Sequence, residues 1–573
     1  MKLRPCPVEW ELVDCPFAAA ELRRRRPEPV VIDTETTGLL VKDGQHTARY
    51  LGLCFATTPS ACFIVKGPFS DDLKRLLADS MLVGHNVRFD AHALGLELPG
   101  AAPYDTMVRV YGHNTTALKS LDDVAPRLGF SKIPTPQRIL DGKIDEMTTE
   151  EVAPYLADDC AVTAHLFLQQ IKYQGLASDL NVLDFDTERA VLNMERRGVR
   201  LLTDDLAALG VEVDAQIVET KEKLQSLGIT STLNINSPKQ VKEMFTGRGV
   251  KLPLDPKTGK PSTGKLALEK LDRAGDPYAA AILAARKALK LRDGFLTPLP
   301  TFVSPITGLI HASVKTAHTA TGRFSYEGPN LQQIPKGHGN PLAKRFRNCF
   351  TSRNGRVAGA DFGQVEMRVA AALSGDPRLV QLFERAEDLH TSVAAQIGGK
   401  ALAAVTKEER FKAKAVNFGI LNGMGAARLA HEIKTDKYEA QRFLDAYLKT
   451  FAGLHEWMQA TWRDGENTGL ARTLMGRQRI FGRDEETRPG ISVVVQGSAA
   501  DLMRAALVAL DQAGRGPILA VHDEIICDGD LTSGAEVAKM MTQAANDLWR
   551  KVTGSLPVDF SATPGEGATW GDC

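Results

Sequence analysis

The run PVVIDTETTG, from Pro29, reads as a strand, short apolar segments and turns follow it, and a 3.6-residue periodicity predicts helix from Ala117 to Gln174. Strand and helix in that alternation give an α/β unit. Around Asp184 the amphipathic stretch DFDTERAVLNMERRGV opens a mainly helical region that reaches about Leu299, broken by the Pro/Gly/Thr-rich loop PLDPKTGKPSTG. A boundary near residue 186 separates the two. Strands return after Ile310. Val357–Asp361 (VAGAD) predicts a short buried strand that runs straight into the helix QVEMRVAAAL, and helices dominate from there to Ala513. PILAVH and IICDGD, joined through HDE, predict a hairpin. No internal repeat and no low-complexity segment interrupts this order.

Composition changes the picture little. A chain of 573 residues needs several units, at roughly 100 to 200 residues each. Lys plus Arg and Asp plus Glu are equal at 70 each, so any basic footprint for a polyanion has to be local. Hydrophobic residues make up 43% and charged residues 24%, and no apolar run approaches the ~18 residues of a membrane span, so no membrane partner is expected. The eight cysteines include no CxxC pair, which predicts reduced thiols in a cytoplasm; the first residues lack the features of a signal or transit peptide.

The chemistry lies in two groups of acids. Asp33 and Glu35 stand two apart in a strand, which puts both carboxylates on one face. Alone, such a pair is a polar strand end. Asp90 in GHNVRFDAHAL and Asp159 in YLADDCAVT add two more acids, and Tyr155 lies four residues before Asp159 on the same helical face. Four carboxylates repel one another unless cations neutralise them, so the set implies two metals and a metal-activated water attacking phosphate. Asp105 and Asp158 are expected to cap or face solvent, and His85 and His92 to be satisfied structure.

In the second group, Asp361 ends a strand and Asp523 sits in a turn between strands, two acids from distant segments that could hold two cations. Between them Arg410, Lys414 and Phe418 recur every four residues, on a limited arc of one helix. That arc suits a triphosphate and a base. In isolation it would be a solvated charge stripe, as is expected of the Arg23–Arg26 run.

DTETTG, GHNxxFD and YxxxD, in that order, resemble the 3′–5′ proofreading exonuclease domain attached to family A DNA polymerases. DFGQVEMR, RFKAKAVNFG and VHDE resemble the polymerase segments of the same family, and ERRGV, NINSPKQ, TATGRFSYEGPNLQQIP, EDLH and VVVQGSAADLMR agree in order. The resemblance implies an RNase H-like α/β exonuclease domain (1–186) followed by a right-hand polymerase (187–573). Its helical thumb would span about 187–310, its α+β palm about 311–378 and 487–573, and its helical fingers about 379–486. It implies metal binding by Asp33, Glu35, Asp90 and Asp159, with Tyr155 and Glu35 orienting the attacking water. In the polymerase it implies metal binding by Asp361 and Asp523, support from Glu524, and contact of the incoming dNTP by Arg410, Lys414, His390, Phe418, Gln364, Glu366 and Asn422. Arg323, Gln496 and His522 match readers of the primer-end minor groove, and Asn330 and Arg488 match other DNA contacts.

Two Mg2+ per site, with Mn2+ an alternative, are the implied cofactors. The implied partners are primer-template DNA, dNTPs and a single-stranded 3′ end, with a helicase or other replisome protein beside a monomer. Glu366 matches the residue that packs where a 2′-hydroxyl would sit, which points to DNA and not RNA synthesis. A nuclease with a dead polymerase region is disfavoured by the survival of Asp361, Lys414 and Asp523. Asn422 departs from the family, which carries a tyrosine there that meets the sugar-gating glutamate; a looser hold on Glu366 is the expectation. Ser492 and Gly363 also depart. No 5′-nuclease segment precedes the exonuclease and no large insertion interrupts 198–238, which suggests a compact, phage-like form.

Overall fold

The computed structural model describes residues 3–38, 47–98, 102–174, 178–229, 233–255, 258–335, 341–385 and 387–573. Its N-terminal part is a six-stranded sheet. The strands are β1 (Glu9–Val13), β2 (Val30–Thr36), β3 (Ala48–Phe55), β4 (Thr58–Lys66), β5 (Leu82–Gly84) and β6 (Tyr104–Asp105), in the order β1-β4-β3-β2-β5-β6. β2 is central and carries VVIDTET, buried on both faces as apolar β-branched residues in a covered strand should be. Helices α1 (Val87–Leu94), α2 (Thr106–His113), α3 (Leu121–Leu128) and α4 (Thr149–Gln174) surround it.

The helical stretch expected from Ala117 to Gln174 is therefore broken. Ser120 caps the start of α3, Gly129 ends it in the left-handed region, and Pro134 and Pro136 interrupt the chain, so that only a one-turn helix, Gln137–Leu140, and a 3-10 turn, Ile144–Glu146, form before α4 begins. α4 lies against β3 and β4, and Gly52 allows it to lie close. A Cβ on Gly52 would stand 2.7 Å from Cys160 Sγ and 2.9 Å from Leu156 Cγ. Gly52 is also the cross-strand partner of Asp33, so this close approach is what brings the acid-bearing face of α4 over Asp33.

Helix α5 (Asp179–Arg197) runs without interruption through residue 186 and packs on the long helix 490–512. After it come α6 (Thr203–Ser226), α7 (Pro238–Gly247), α8 (Lys265–Arg273) and α9 (Pro277–Leu291), with their own small core around Phe245, Leu268 and Ile282. The hairpin of β7 (Ser313–Lys315) and β8 (Ser325–Glu327) follows. A second sheet is built from β9 (Val357–Phe362), β12 (Pro517–Val521), β13 (Glu524–Asp528) and β14 (Ala562–Gly567), in the order β12-β13-β9-β14. The expected strand, helix and hairpin are all present. β14 and the hairpin of β10 (Leu470–Arg472) and β11 (Gln478–Ile480) were not predicted, since their largely polar, short segments carry no apolar rhythm.

Helices α10 (Val365–Ser374), α11 (Leu389–Gly398), α12 (Lys407–Ile420) and α13 (Gly490–Gln512) complete the frame of the second site. α13 corrects the sequence reading on one point, because it is long and apolar enough by composition to cross a membrane. It is instead core, with 78% of its apolar window buried. All eight cysteines are free thiols.

Candidate functional site

The first acid cluster forms on the sheet. Asp33 and Glu35 project from one face of β2, Asp90 comes from α1, and Tyr155 and Asp159 come from successive turns of α4. Burial, then the charges of Asp90, Asp159 and Glu35, push the Asp33 carboxyl well above its usual range. Glu35 is pushed up to about 8 by burial and by Asp159 and Asp90. Burial raises Asp90 to about 8 against the pull of the Thr34 hydroxyl, which donates to its Oδ1 at 2.7 Å. Four buried carboxylates, with Asp33 and Glu35 raised by the charges of the others, are a donor set of hard oxygens short of positive charge, which fits divalent cations. Among the described residues no three such groups are already closed into a ligand cage.

One cation of the chain itself stands there, and the sequence reading missed it. Lys132 Nζ lies 2.7 Å from Asp159 Oδ1 and 4.4 Å from the centre of the Tyr155 ring, in a nearly enclosed position. It lowers Asp159, whose burial nevertheless holds it up at about 6. The Tyr155 hydroxyl accepts from Thr135 Oγ1 at 3.1 Å. No motif flags Lys132, because it lies in the irregular segment between α3 and α4.

The bystander residues behave as structure. Asp105 accepts from the backbone N–H groups of Asn86, Val87, Met107 and Val108, capping α2. Asp158 accepts from Ile133 N. His85 bonds Thr106 Oγ1 and the Lys119 carbonyl, and His92 Nε2 is 2.8 Å from Glu195 Oε2. Each arginine of the 23–26 run pairs with an acid, Asp72, Glu21, Glu28 and Asp79 in turn.

The second cluster is set by strand register. Asp361 is the direct partner of Glu524 across β9 and β13, and the Phe362 N–H donates to the Asp523 carbonyl at 2.9 Å, so Asp523 sits beside the end of β9. The turn between β12 and β13 is tight enough to hold His522 at φ +56°. Glu524 is buried and takes Arg347 NH1 at 2.9 Å; that guanidinium lies 4.1 Å from the Trp570 ring centre. A cleft of about 240 Å³ beside them is lined by Arg323, Gln496, His522 and Asp523 together.

On α12, opened by a Thr406/Glu409 capping box, Arg410 and Lys414 follow one another by one turn. Arg410 is held in a two-bond fork by Asp388, at 2.9 and 2.8 Å, and Asp388 also caps α11 through Thr391 N. His390, the second residue of α11, is buried, bonds Asn417 Nδ2, and has its pKa lowered chiefly by that burial. The Phe418 side chain lies outside the described residues.

Glu366, in the first turn of α10, is ion-paired with Arg323, while Asn422 Oδ1 accepts from Ser492 Oγ at 3.1 Å and Gln496 Nε2 at 2.8 Å. Glu366 is thus held by Arg323, while Asn422 is bonded to Ser492 and Gln496. Gln364 precedes α10 at φ +56°, and its buried Oε1, like Asn330 Oδ1, has no hydrogen-bond partner among the described residues. Arg488 stacks 4.8 Å from the Trp462 ring centre and lies next to Gly423.

The family model "DNA polymerase family A" matches residues 203–572, and the model "3'-5' exonuclease" matches residues 11–172. DNA polymerase I of Chloroflexus aurantiacus is 30% identical over 598 aligned positions, covering 95% of this chain and 61% of that protein. The thermostable DNA polymerase I of Thermus thermophilus is 34% identical over 398, covering 67% of this chain and 47% of that protein. The chain thus spans about half to three fifths of the curated relatives it matches. A solved structure, the POL domain of Pol1 from M. smegmatis in complex with DNA primer-template and dNTP, shares the fold. Its TM-score is 0.82 at 24% identity, over 98% of this chain and 100% of that one. With the palm register and the acids of β2, α1 and α4 in place, the chain belongs to DNA polymerase family A and carries the 3′–5′ exonuclease domain found with it.

Proposed function

We propose that the protein extends a primer along a DNA template with dNTPs and removes misincorporated ends with its 3′–5′ exonuclease. The observation that carries the reading is the cleft in which Asp523, adjoining Asp361, meets Arg323, Gln496 and His522. Asp361 and Asp523 would hold two Mg2+, which when bound would supply charge neutralisation and lower the pKa of the primer hydroxyl. Glu524, fixed by Arg347, anchors the strand beside them. Arg410 exchanges Asp388 for the triphosphate, and Lys414 and His390 receive phosphate on the same face. Glu366 and Phe418 exclude a 2′-hydroxyl, with Gln364 and Asn422 bounding the pocket. Arg323, Gln496 and His522 bond minor-groove acceptors common to all base pairs, and Asn330 and Arg488 hold the strands. In the exonuclease, Asp33, Glu35, Asp90 and Asp159 would hold the cations, and Tyr155 and Glu35 would orient the attacking water.

Primer extension with dNTPs and with rNTPs, repeated with Asp523→Ala, tests this. The intact chain is expected to extend with dNTPs only and the variant not at all. No dNTP extension by the intact chain would overturn the reading. Excision of a labelled single strand, abolished by Asp33→Ala, tests the second activity.

A further inference from the structure

The loop that carries Arg323 is suspended between the two modules by its backbone carbonyls. From the second module, Arg504 NH2 donates to the carbonyls of Thr316 at 2.7 Å and Gly322 at 3.0 Å. From the exonuclease module, the Tyr111 hydroxyl donates to the Thr319 carbonyl at 2.6 Å, and Thr115 Oγ1 donates to the Ala320 carbonyl at 2.8 Å. Within the loop, Thr319 Oγ1 donates to the Arg323 carbonyl at 2.8 Å, and Arg323 reaches Glu366. The path from Tyr111 to the minor-groove reader is therefore two hydrogen bonds long.

The donors cannot easily turn elsewhere. Tyr111 is fully buried, packs with Val108 and Ala317, and lies 5.5 Å from the Arg477 guanidinium. Thr115 is 4% exposed; its N–H donates to the Gln478 carbonyl at 2.8 Å, and Asn114 Oδ1 beside it accepts from Ile480 N, so the corner after α2 is clipped to β11. Arg477, between β10 and β11, is itself locked to Asp184 and Asp501 with no exposure. Gly322, at φ +85°, leaves room for it, since a Cβ there would meet Arg477 Nε at 3.2 Å. Among the described residues, none of the hydrogen bonds or ion pairs named here reaches the acids of β2, α1 and α4.

We propose that Tyr111 and Thr115 of the exonuclease module are positioning residues of the polymerase site, holding Thr319 and Ala320 so that Arg323 stands ready for the primer end. The inference rests on the DNA-synthesis reading above. The exonuclease module then acts twice on a primer end, by excision and by fixing the group that retains a paired end at the polymerase site. Loosening the loop frees the end to leave, and excision of correctly paired primer rises.

The test compares the full chain with Tyr111→Phe/Thr115→Val, which keeps shape and removes both hydroxyl donors, and with Thr115→Ser, which keeps both donors and removes only a methyl. Three quantities are read: KM for primer-template against kcat, excision of a single-stranded oligonucleotide, and the ratio of paired-end to single-strand excision. The double variant is expected to raise KM for primer-template roughly tenfold, the factor a hydrogen bond of ordinary worth gives, with kcat at saturating DNA changed far less. Single-strand excision stays at the parent rate, the paired-end ratio rises several-fold, and Thr115→Ser behaves as the parent. An unchanged KM and ratio in the double variant overturns the proposal. So does an equal fall of extension and single-strand excision, which marks general destabilisation. An intact chain that fails to extend any primer sinks the DNA-synthesis reading instead, and is recognised before any variant is compared.

Discussion

Replacing Gly52 by alanine should disable the exonuclease while sparing the polymerase. The added Cβ would lie 2.7 Å from Cys160 Sγ and 2.9 Å from Leu156 Cγ, both on α4 and both fully buried. Carbon contacts relax at about 3.5 to 4 Å, so the overlap is on the order of 1 Å and close-packed surroundings leave it little room to dissipate. Overpacking of this kind costs about 1–3 kcal/mol, and the movable body here is α4, which would shift outward by roughly half to one ångström. Tyr155 and Asp159 travel with it, away from Asp33 across the sheet. A displacement of ~1 Å in a reacting group costs about a hundredfold, so excision of a labelled single strand should fall by roughly 30- to 100-fold. Primer extension in the same preparation should stay within about twofold, since the overlap lies far from the β9–β13 acids. Cys160→Ala in the same chain removes the harder of the two contacts and should return about a tenfold share of the lost excision. Excision within twofold of the parent in Gly52→Ala, or a loss that Cys160→Ala leaves untouched, would refute the reasoning.

Three other outcomes follow from the geometry. Asp33, Glu35 and Asp90 have folded-state pKa values raised above their unfolded ones, so the folded chain binds the extra protons; the stability this contributes is fully present below their unfolded values and is lost as the pH climbs through the raised values, about 8 for Glu35 and Asp90. In chelator the melting midpoint should therefore fall from pH 6 to pH 9, and less steeply in Asp33→Asn/Glu35→Gln; a level or rising midpoint contradicts this. Lys132→Met removes an ammonium 2.7 Å from Asp159, and Mn2+ binding to the exonuclease site, followed by paramagnetic resonance, should tighten by roughly threefold to tenfold; weaker binding would mean that Lys132 helps assemble the site instead of competing for it. Asp388→Asn keeps a side chain that caps α11 but dissolves the charged fork on Arg410, so KM for dNTP should drop by about threefold to tenfold, and an increase would count against Arg410 as a phosphate ligand.

Both acid clusters were legible in the sequence because each acid sits at a place with its own local signature. Asp33 and Glu35 share a strand period, Tyr155 and Asp159 share a helical turn, and Asp361 stands where a strand gives way to a helix. The parts that escaped have no such signature. Lys132 lies in irregular chain, and its proximity to Asp159 is made by the path between α3 and α4, which no periodicity encodes. β14 is half polar because it covers β9 at the edge of the sheet, so it alternates too weakly to register. The long helix expected from Ala117 failed at Ser120, Gly129 and two prolines, where capping chemistry outweighed apolar spacing. Asn422 was visible as a departure, but its partners, Ser492 and Gln496, are some seventy positions away in sequence, and only the fold, which brings the residues after α12 to α13, reveals them.

The ionic contacts divide into two kinds with different work to do. Arg477 with Asp184 and Asp501 is wholly enclosed, and removing one partner of such a set strands a buried charge at a cost of about 3–5 kcal/mol. That network binds α5, the β10–β11 hairpin and α13 into one frame and has no reason to open. Arg323 with Glu366, and Arg410 with Asp388, are partly open to solvent, where an ion pair is worth only about 0–1 kcal/mol. Asn422 with Gln496 is likewise exposed. The groups expected to meet DNA and triphosphate are thus held in usable orientations by partners that cost little to exchange. Arg410 can leave one carboxylate for a triphosphate, and Arg323 can turn from Glu366 to a minor-groove acceptor, without disturbing the frame behind them. Weak pairing at the surface of the site and strong pairing beneath it together give a site that is ordered before substrate arrives and still free to bind it.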